Sequence, residues 1–119
     1  MQNGTRLAAV DLGSNSFRLE IGQFDDGQIA RAEYYKEIVR QGNGLDADRN
    51  LTPEALQRGW DCLARFGERL AGFKKVQVRA VATQTLREAR NRDEFLAKGR
   101  QLLGFPIDVI SGREEARLI

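Results

Sequence analysis

Apolar and polar residues alternate through the N-terminal third of the chain, and apolar residues recur at helical spacing further on. Leu7 to Val10, Phe17 to Phe24 and Gln28 to Val39 predict three successive strands, turned by Gly13-Ser14-Asn15 and by Asp25-Asp26-Gly27. An Asp-Gly pair between alternating apolar runs is a strong hairpin signal. A glycine-containing loop over residues 40–46 follows. Thr52-Pro53-Glu54 predicts a helix start: a capping hydroxyl, a proline at the first helical position, and an acid at the positive end of the helix dipole. Leu56, Trp60, Leu63, Phe66 and Leu70 give that helix a buried face, and Gly72 closes it. Val76 to Ala82 predicts a strand with Val76, Val78 and Ala80 on one face, followed by a short helical stretch from Leu86 to Ala89. Asn91 and Glu94 form a predicted capping box for another helix, which Gly104-Phe105-Pro106 ends. Ile107 to Ile110 is a short strand, and Ser111 with Glu114 is a second capping box opening a last helix. Three antiparallel strands followed by helix–strand alternation predict an α/β fold, a mixed sheet with helices packed on it.

Composition narrows the function classes. With 119 residues, 41% hydrophobic and 30% charged, the chain is globular and amounts to one domain or less. No apolar run approaches the roughly 20 residues needed to span a bilayer. Asp11 interrupts the N-terminal apolar stretch, so no signal peptide is read there and the expected location is the cytoplasm, with no membrane partner. Cys62 is the only cysteine, which excludes an intramolecular disulfide. Its apolar neighbours on a helical stripe predict a packed thiol rather than a nucleophile. The net charge of +2 is too mild to argue for nucleic acid. Fifteen of the nineteen basic residues are arginine, whose planar fork matches phosphate oxygens. There is no histidine, so proton transfer falls to carboxylates, Lys, Tyr or Cys.

Three short runs can carry chemistry. In Asp11-Leu12-Gly13-Ser14-Asn15-Ser16 a carboxylate precedes a glycine and three small polar residues, between two strand-like stretches. Such a turn can aim backbone N–H groups at one anion, and the carboxylate beside it can hold a cation, usually magnesium, against phosphate oxygens. An ordinary hairpin with a polar tip stands open beside that reading. Thr83-Gln84-Thr85-Leu86-Arg87 follows a predicted central strand, where α/β sheets bind ligands. Its hydroxyls and guanidinium suit phosphate, and a solvated turn is the plainer alternative. In Glu114-Glu115 the first acid has a capping role towards Ser111. Glu115 has none, so it can either orient a water for in-line attack on phosphorus or simply face the helix dipole.

Taken together, Asp11 to Leu19, Thr83 to Arg87 and Ile110 to Ile119 resemble the exopolyphosphatase/guanosine pentaphosphate phosphohydrolase family, over essentially the whole chain. The Gly-Asn-Gly-Leu loop, the Leu-Thr-Pro-Glu-Ala helix start and the Cys-Leu-Ala-Arg-Phe helix are similar to that family as well. The resemblance implies an actin-like ATPase fold of two ribonuclease-H-like lobes, of which residues 1–119 are most of the first. It implies release of orthophosphate from inorganic polyphosphate or from guanosine pentaphosphate, with Mg2+ as cofactor. Carried over, Asp11 is the metal-side carboxylate, and Gly13, Ser14, Asn15 and Ser16 form the first phosphate loop. Arg87 is the phosphate-contacting arginine, with Thr83 and Thr85 nearby, and Glu115 activates the water. The family's second phosphate loop, a Gly-rich segment, has no counterpart in these residues, so the fragment alone is expected to be inactive. The full-length protein is expected to be a homodimer. Two other classes remain open: a polyphosphate- or alarmone-binding sensor without catalysis, and an actin-fold phosphotransferase.

Overall fold

A computed structural model describes residues 3–40, 45–82 and 88–110. Strands β1 (Thr5–Leu12), β2 (Ser16–Asp25) and β3 (Gln28–Ile38) lead into helix α1 (Pro53–Arg69), followed by strand β4 (Val78–Ala82), helix α2 (Arg92–Leu103) and the short strand β5 (Asp108–Val109). They build one five-stranded sheet in the order β3-β2-β1-β4-β5. β1–β2 and β2–β3 are antiparallel, whereas β1–β4 and β4–β5 are parallel. This is the mixed α/β sheet that the alternation pattern predicts. Asp26 and Gly27 turn β2 into β3 with φ of 51° and 80°, the left-handed pair that a tight hairpin requires.

Side-chain alternation sorts the sheet into two faces. Val10 and Leu12 of β1, Phe17, Leu19 and Ile21 of β2, and Ala80 and Ala82 of β4 are buried on the face that α1 and α2 cover. The helices contribute Leu56, Leu63 and Phe66, and Phe95, Leu96 and Leu103. Phe17 meets Phe95 edge-on with ring centroids 6.3 Å apart, which fastens the sheet to the helical layer. α1 and α2 touch at the level of their backbones: a Cβ on Gly67 would stand 2.2 Å from the Leu102 carbonyl oxygen. The other face of the sheet carries Leu7, Ala9, Asp11, Arg18, Glu20 and Arg79 by alternation.

Thr52 caps α1 as predicted, its Oγ1 accepting from the Ala55 N–H at 3.2 Å. Three expectations are corrected. β4 begins at Val78, because residues 75–77 form a 3-10 turn that leaves Val76 90% exposed rather than on the face of Val78 and Ala80. The Gln77 side chain holds that turn, accepting from the Lys74 N–H at 2.7 Å and donating to the Arg6 carbonyl at 2.8 Å. Asn91 stands at the N-cap of α2 but makes no side-chain capping bond, since its amide is bonded to Leu51 instead, so the predicted capping box is absent. Trp60 packs against the core but is half-buried rather than enclosed: it stacks on Phe95 and donates its indole N–H to the Phe95 carbonyl at 3.1 Å. Residues 86 and 87 of the helical stretch predicted from Leu86 to Ala89, and the capping box at Ser111, lie outside the described residues. Among the described residues, no helix is long and apolar enough to cross a membrane.

Candidate functional site

Gly13, Ser14 and Asn15 turn the chain from β1 into β2. The Gly13 N–H donates to the Ser16 carbonyl at 3.0 Å, closing the turn. A Cβ on Gly13 would lie 3.0 Å from that same oxygen, so the close approach favours a residue without a side chain. Ser14 and Asn15 are exposed at the tip, whereas Ser16 at its base is 7% exposed.

The turn is braced from outside the hairpin. The Asn15 carbonyl accepts from two consecutive backbone donors, Val39 N–H at 3.0 Å and Arg40 N–H at 2.9 Å. Those two residues are gripped in turn by Arg58 of α1, whose Nε donates to the Val39 carbonyl at 2.8 Å and whose Nη2 donates to the Arg40 carbonyl at 3.3 Å. Arg40 has φ of 51°, a left-handed backbone that a side chain makes unfavourable by roughly 1–2 kcal/mol.

Asp11 precedes the turn on the sheet face away from the helices. It stands opposite Arg18 of β2 and Val81 of β4. The carboxylate is half-buried, with Oδ1 shielded from solvent. Among the described residues no three His, Cys, Asp or Glu side chains gather as a metal cage.

The ends of the parallel strands are level. Leu12 pairs with Ala82, Ala82 pairs with Val109, and the Ile110 N–H donates to the Ala82 carbonyl at 3.0 Å. The chain therefore leaves β1, β4 and β5 along one row at the carboxyl edge of the sheet, the usual ligand edge of such folds. The Gly13–Ser16 turn departs from this row. Thr83, Thr85 and Arg87 follow Ala82 in the chain, and Glu115 follows Ile110, but all four lie outside the described residues.

A second polar cluster joins β3 to α1. The Arg65 guanidinium forks onto both Glu37 carboxylate oxygens through Nε, at 2.9 and 3.1 Å, with a further bond from Nη2. That guanidinium holds the Glu37 carboxyl below the usual carboxylate range. Cys62 beside it is fully buried, and burial first, then the Glu37 charge, pushes its thiol up to about 12. A protonated, enclosed thiol is no nucleophile, in line with the packed role read from its neighbours. This cluster ties an edge strand to the helix that carries Arg58.

Sequence reading gives no role to Arg18, Arg40 or Arg58. The first was recoverable, because closing the turn between Gly13 and Ser16 sets Asp11 opposite Arg18. The other two engage through backbone groups of a distant segment, which no side-chain pattern announces.

The model of the Ppx/GppA phosphatase family matches residues 21–119. The chain belongs to the Ppx/GppA phosphatase family. It is 50% identical over 112 residues, 94% of its length, to a Vibrio cholerae protein named guanosine-5'-triphosphate,3'-diphosphate pyrophosphatase. Among solved Ppx/GppA structures, that of the Aquifex aeolicus family member superposes with a TM-score of 0.86 at 30% identity, covering 95% of this chain and 37% of the other. An exopolyphosphatase from Cytophaga hutchinsonii superposes at 0.88 with 28% identity, covering 97% of this chain and 37% of the other. The actin-like ATPase fold expected from the motifs is thus the fold of the Ppx/GppA chains it superposes on. The chain spans 22% of the length of the Vibrio relative.

Proposed function

We propose that the full-length protein hydrolyses terminal phosphoanhydride bonds, releasing orthophosphate from inorganic polyphosphate or from guanosine pentaphosphate. The observation that carries this reading is the level row of Leu12, Ala82 and Val109: all three motif-bearing segments are chain continuations of one sheet edge. Membership of a phosphatase family and the pyrophosphatase name of the Vibrio relative point the same way.

In this reading the terminal phosphoryl group is held by the Gly13–Ser16 turn and by Arg87, with Thr83 and Thr85 adding hydroxyl donors. Because the Gly13 amide closes the turn, anion contacts fall to the amides and side chains of Ser14, Asn15 and Ser16. Glu115 accepts a proton from a water as its oxygen attacks phosphorus in line, and the bridging P–O bond breaks with the electron pair leaving on the shortened phosphate chain. Positioning and charge neutralisation supply most of the rate enhancement in such reactions. Asp11 with the serine hydroxyls offers only hard oxygen donors and a single carboxylate. That set suits Mg2+, which keeps several waters and takes substrate phosphates as ligands. Bound beside Asp11, the ion would offset charge on the phosphate oxygens.

The test is orthophosphate release by the full-length protein, with Mg2+, from long-chain polyphosphate and from guanosine pentaphosphate, beside Glu115→Gln. Release that falls by about 10²-fold or more in the variant is expected for a lost general base. No release from either substrate by the unmodified protein would sink the hydrolase and leave a binding protein.

A further inference from the structure

Arg58 sits on α1, outside every motif that points to phosphate, and two of its five N–H donors are spent on main-chain carbonyls. Those carbonyls belong to Val39 and Arg40, the residues whose N–H groups hold the Asn15 carbonyl. We propose that Arg58 is the positioning residue of the phosphate-binding turn, acting through the backbone of residues 39 and 40. The inference rests on the phosphate-binding reading of that turn.

The connection is covalent as well as hydrogen-bonded. Arg58 Nε donates at 2.8 Å to the carbonyl of the Val39–Arg40 peptide, and the N–H of that same peptide donates at 2.9 Å to the carbonyl of the Asn15–Ser16 peptide. The guanidinium and two peptide groups thus form one chain of aligned dipoles that ends at the Ser16 N–H. A fixed positive charge at its head strengthens each donor along it, because hydrogen bonds in series polarise one another. The last donor lies inside the candidate cradle. Arg58 also has a mechanical part. Arg40 keeps a left-handed backbone at φ 51°, and a strained residue persists only where its surroundings over-determine it. The bond from Nη2 to the Arg40 carbonyl is such a restraint. Lysine cannot reproduce it, since a point charge on a flexible stem has no rigid fork.

The experiment uses the full-length protein and compares Arg58→Gln and Arg58→Lys with Arg65→Gln. Arg65 lies on the same helix and also ties α1 to β3, but its guanidinium bonds the Glu37 carboxylate rather than the backbone of residues 39–40. Each variant is read by melting temperature, by KM and kcat for orthophosphate release, and by calorimetric binding of inorganic tripolyphosphate. Arg58→Gln is expected to raise KM and weaken tripolyphosphate binding about tenfold, equivalent to ~1.4 kcal/mol, with kcat within about twofold. Arg58→Lys recovers only part of this, and Arg65→Gln lowers the melting temperature while leaving KM and tripolyphosphate binding unchanged. Arg58→Gln with unmodified KM and binding overturns the proposal, as does an equal KM change in Arg65→Gln. Should Arg58→Gln fail to fold, Arg58→Lys decides alone: full wild-type affinity overturns the role of the fork. An unmodified protein that neither binds tripolyphosphate nor releases phosphate overturns the functional reading itself, and the positioning role with it, an outcome distinct from normal activity in the Arg58 variants.

Discussion

The side-chain amide of Asn91 spans the main chain of Leu51, accepting from its N–H at 2.8 Å and donating to its carbonyl at 3.0 Å. This two-sided clamp joins the residue that precedes α2 to the segment that precedes α1, and the Arg90 N–H reinforces it by donating to the Arg49 carbonyl at 2.9 Å. Leu51 is 2% exposed, so removing the amide leaves enclosed backbone groups without partners. Asn91→Ala is expected to destabilise by about 1–3 kcal/mol, read as a lower denaturant midpoint at unchanged slope. Asn91→Asp, which keeps only the acceptor, should lie between the two; a variant as stable as the unmodified protein would remove the clamp from the account.

Gly13 separates a stability effect from a binding effect. Its missing Cβ leaves room for the Ser16 carbonyl, and an added methyl would sit 3.0 Å from that oxygen. Gly13→Ala is therefore expected to loosen the turn, lowering stability by roughly 1 kcal/mol while raising KM for phosphate release several-fold. Unaltered KM would place the anion contacts elsewhere.

Acid should weaken the join between β3 and α1. The folded-state carboxyl of Glu37 lies below its ordinary value of 4.5 because Arg65 is bonded to it. Glu33 is lowered too, first by the Tyr35 hydroxyl that donates to it and also by Arg6. A carboxyl depressed in the folded state stabilises above its unfolded value and loses that contribution as pH falls through the folded value. The melting temperature should accordingly fall below about pH 4.5, and Glu37→Gln should flatten that fall. Both partners retain solvent contact, so the coupling in a double-mutant cycle is expected to be only ~0.2–1 kcal/mol. A Glu37→Gln melting curve parallel to the unmodified one across this range would argue against it.

Cys62 provides a probe of the core. Fully buried, with its thiol pushed up to about 12, it should resist an aromatic disulfide reagent at pH 8 and react only as the protein unfolds. The modification rate should therefore track denaturant concentration. Rapid labelling of the native protein would show that the α1 layer opens locally.

The strands, both helices and most of the core could be read from alternation and helical spacing, since burial on one face leaves a periodic trace in sequence. What escaped notice was local competition for the same polar group. Asn91 satisfies the formal pattern of a cap, yet Leu51, distant in sequence, claims its amide. Val76 fits a strand by composition, but Gln77 folds back to bond the Lys74 N–H and converts that stretch into a turn. At the site, Asp11 and the Gly13–Ser16 turn were visible because their chemistry lies in side chains and a glycine. Arg58 was not, because its partners are carbonyl oxygens, which every residue possesses.

The backbone contact at Gly67 limits how this unit can move. Helices separated by side chains can slide as those side chains change rotamer, giving shear-type motion. With only 2.2 Å between an imagined Cβ on Gly67 and the Leu102 oxygen, α1 and α2 are meshed like a gear tooth in its slot. The sheet and its two helices then form one stiff plate, and any opening or closing around a substrate must hinge at the margins of the plate instead of within it.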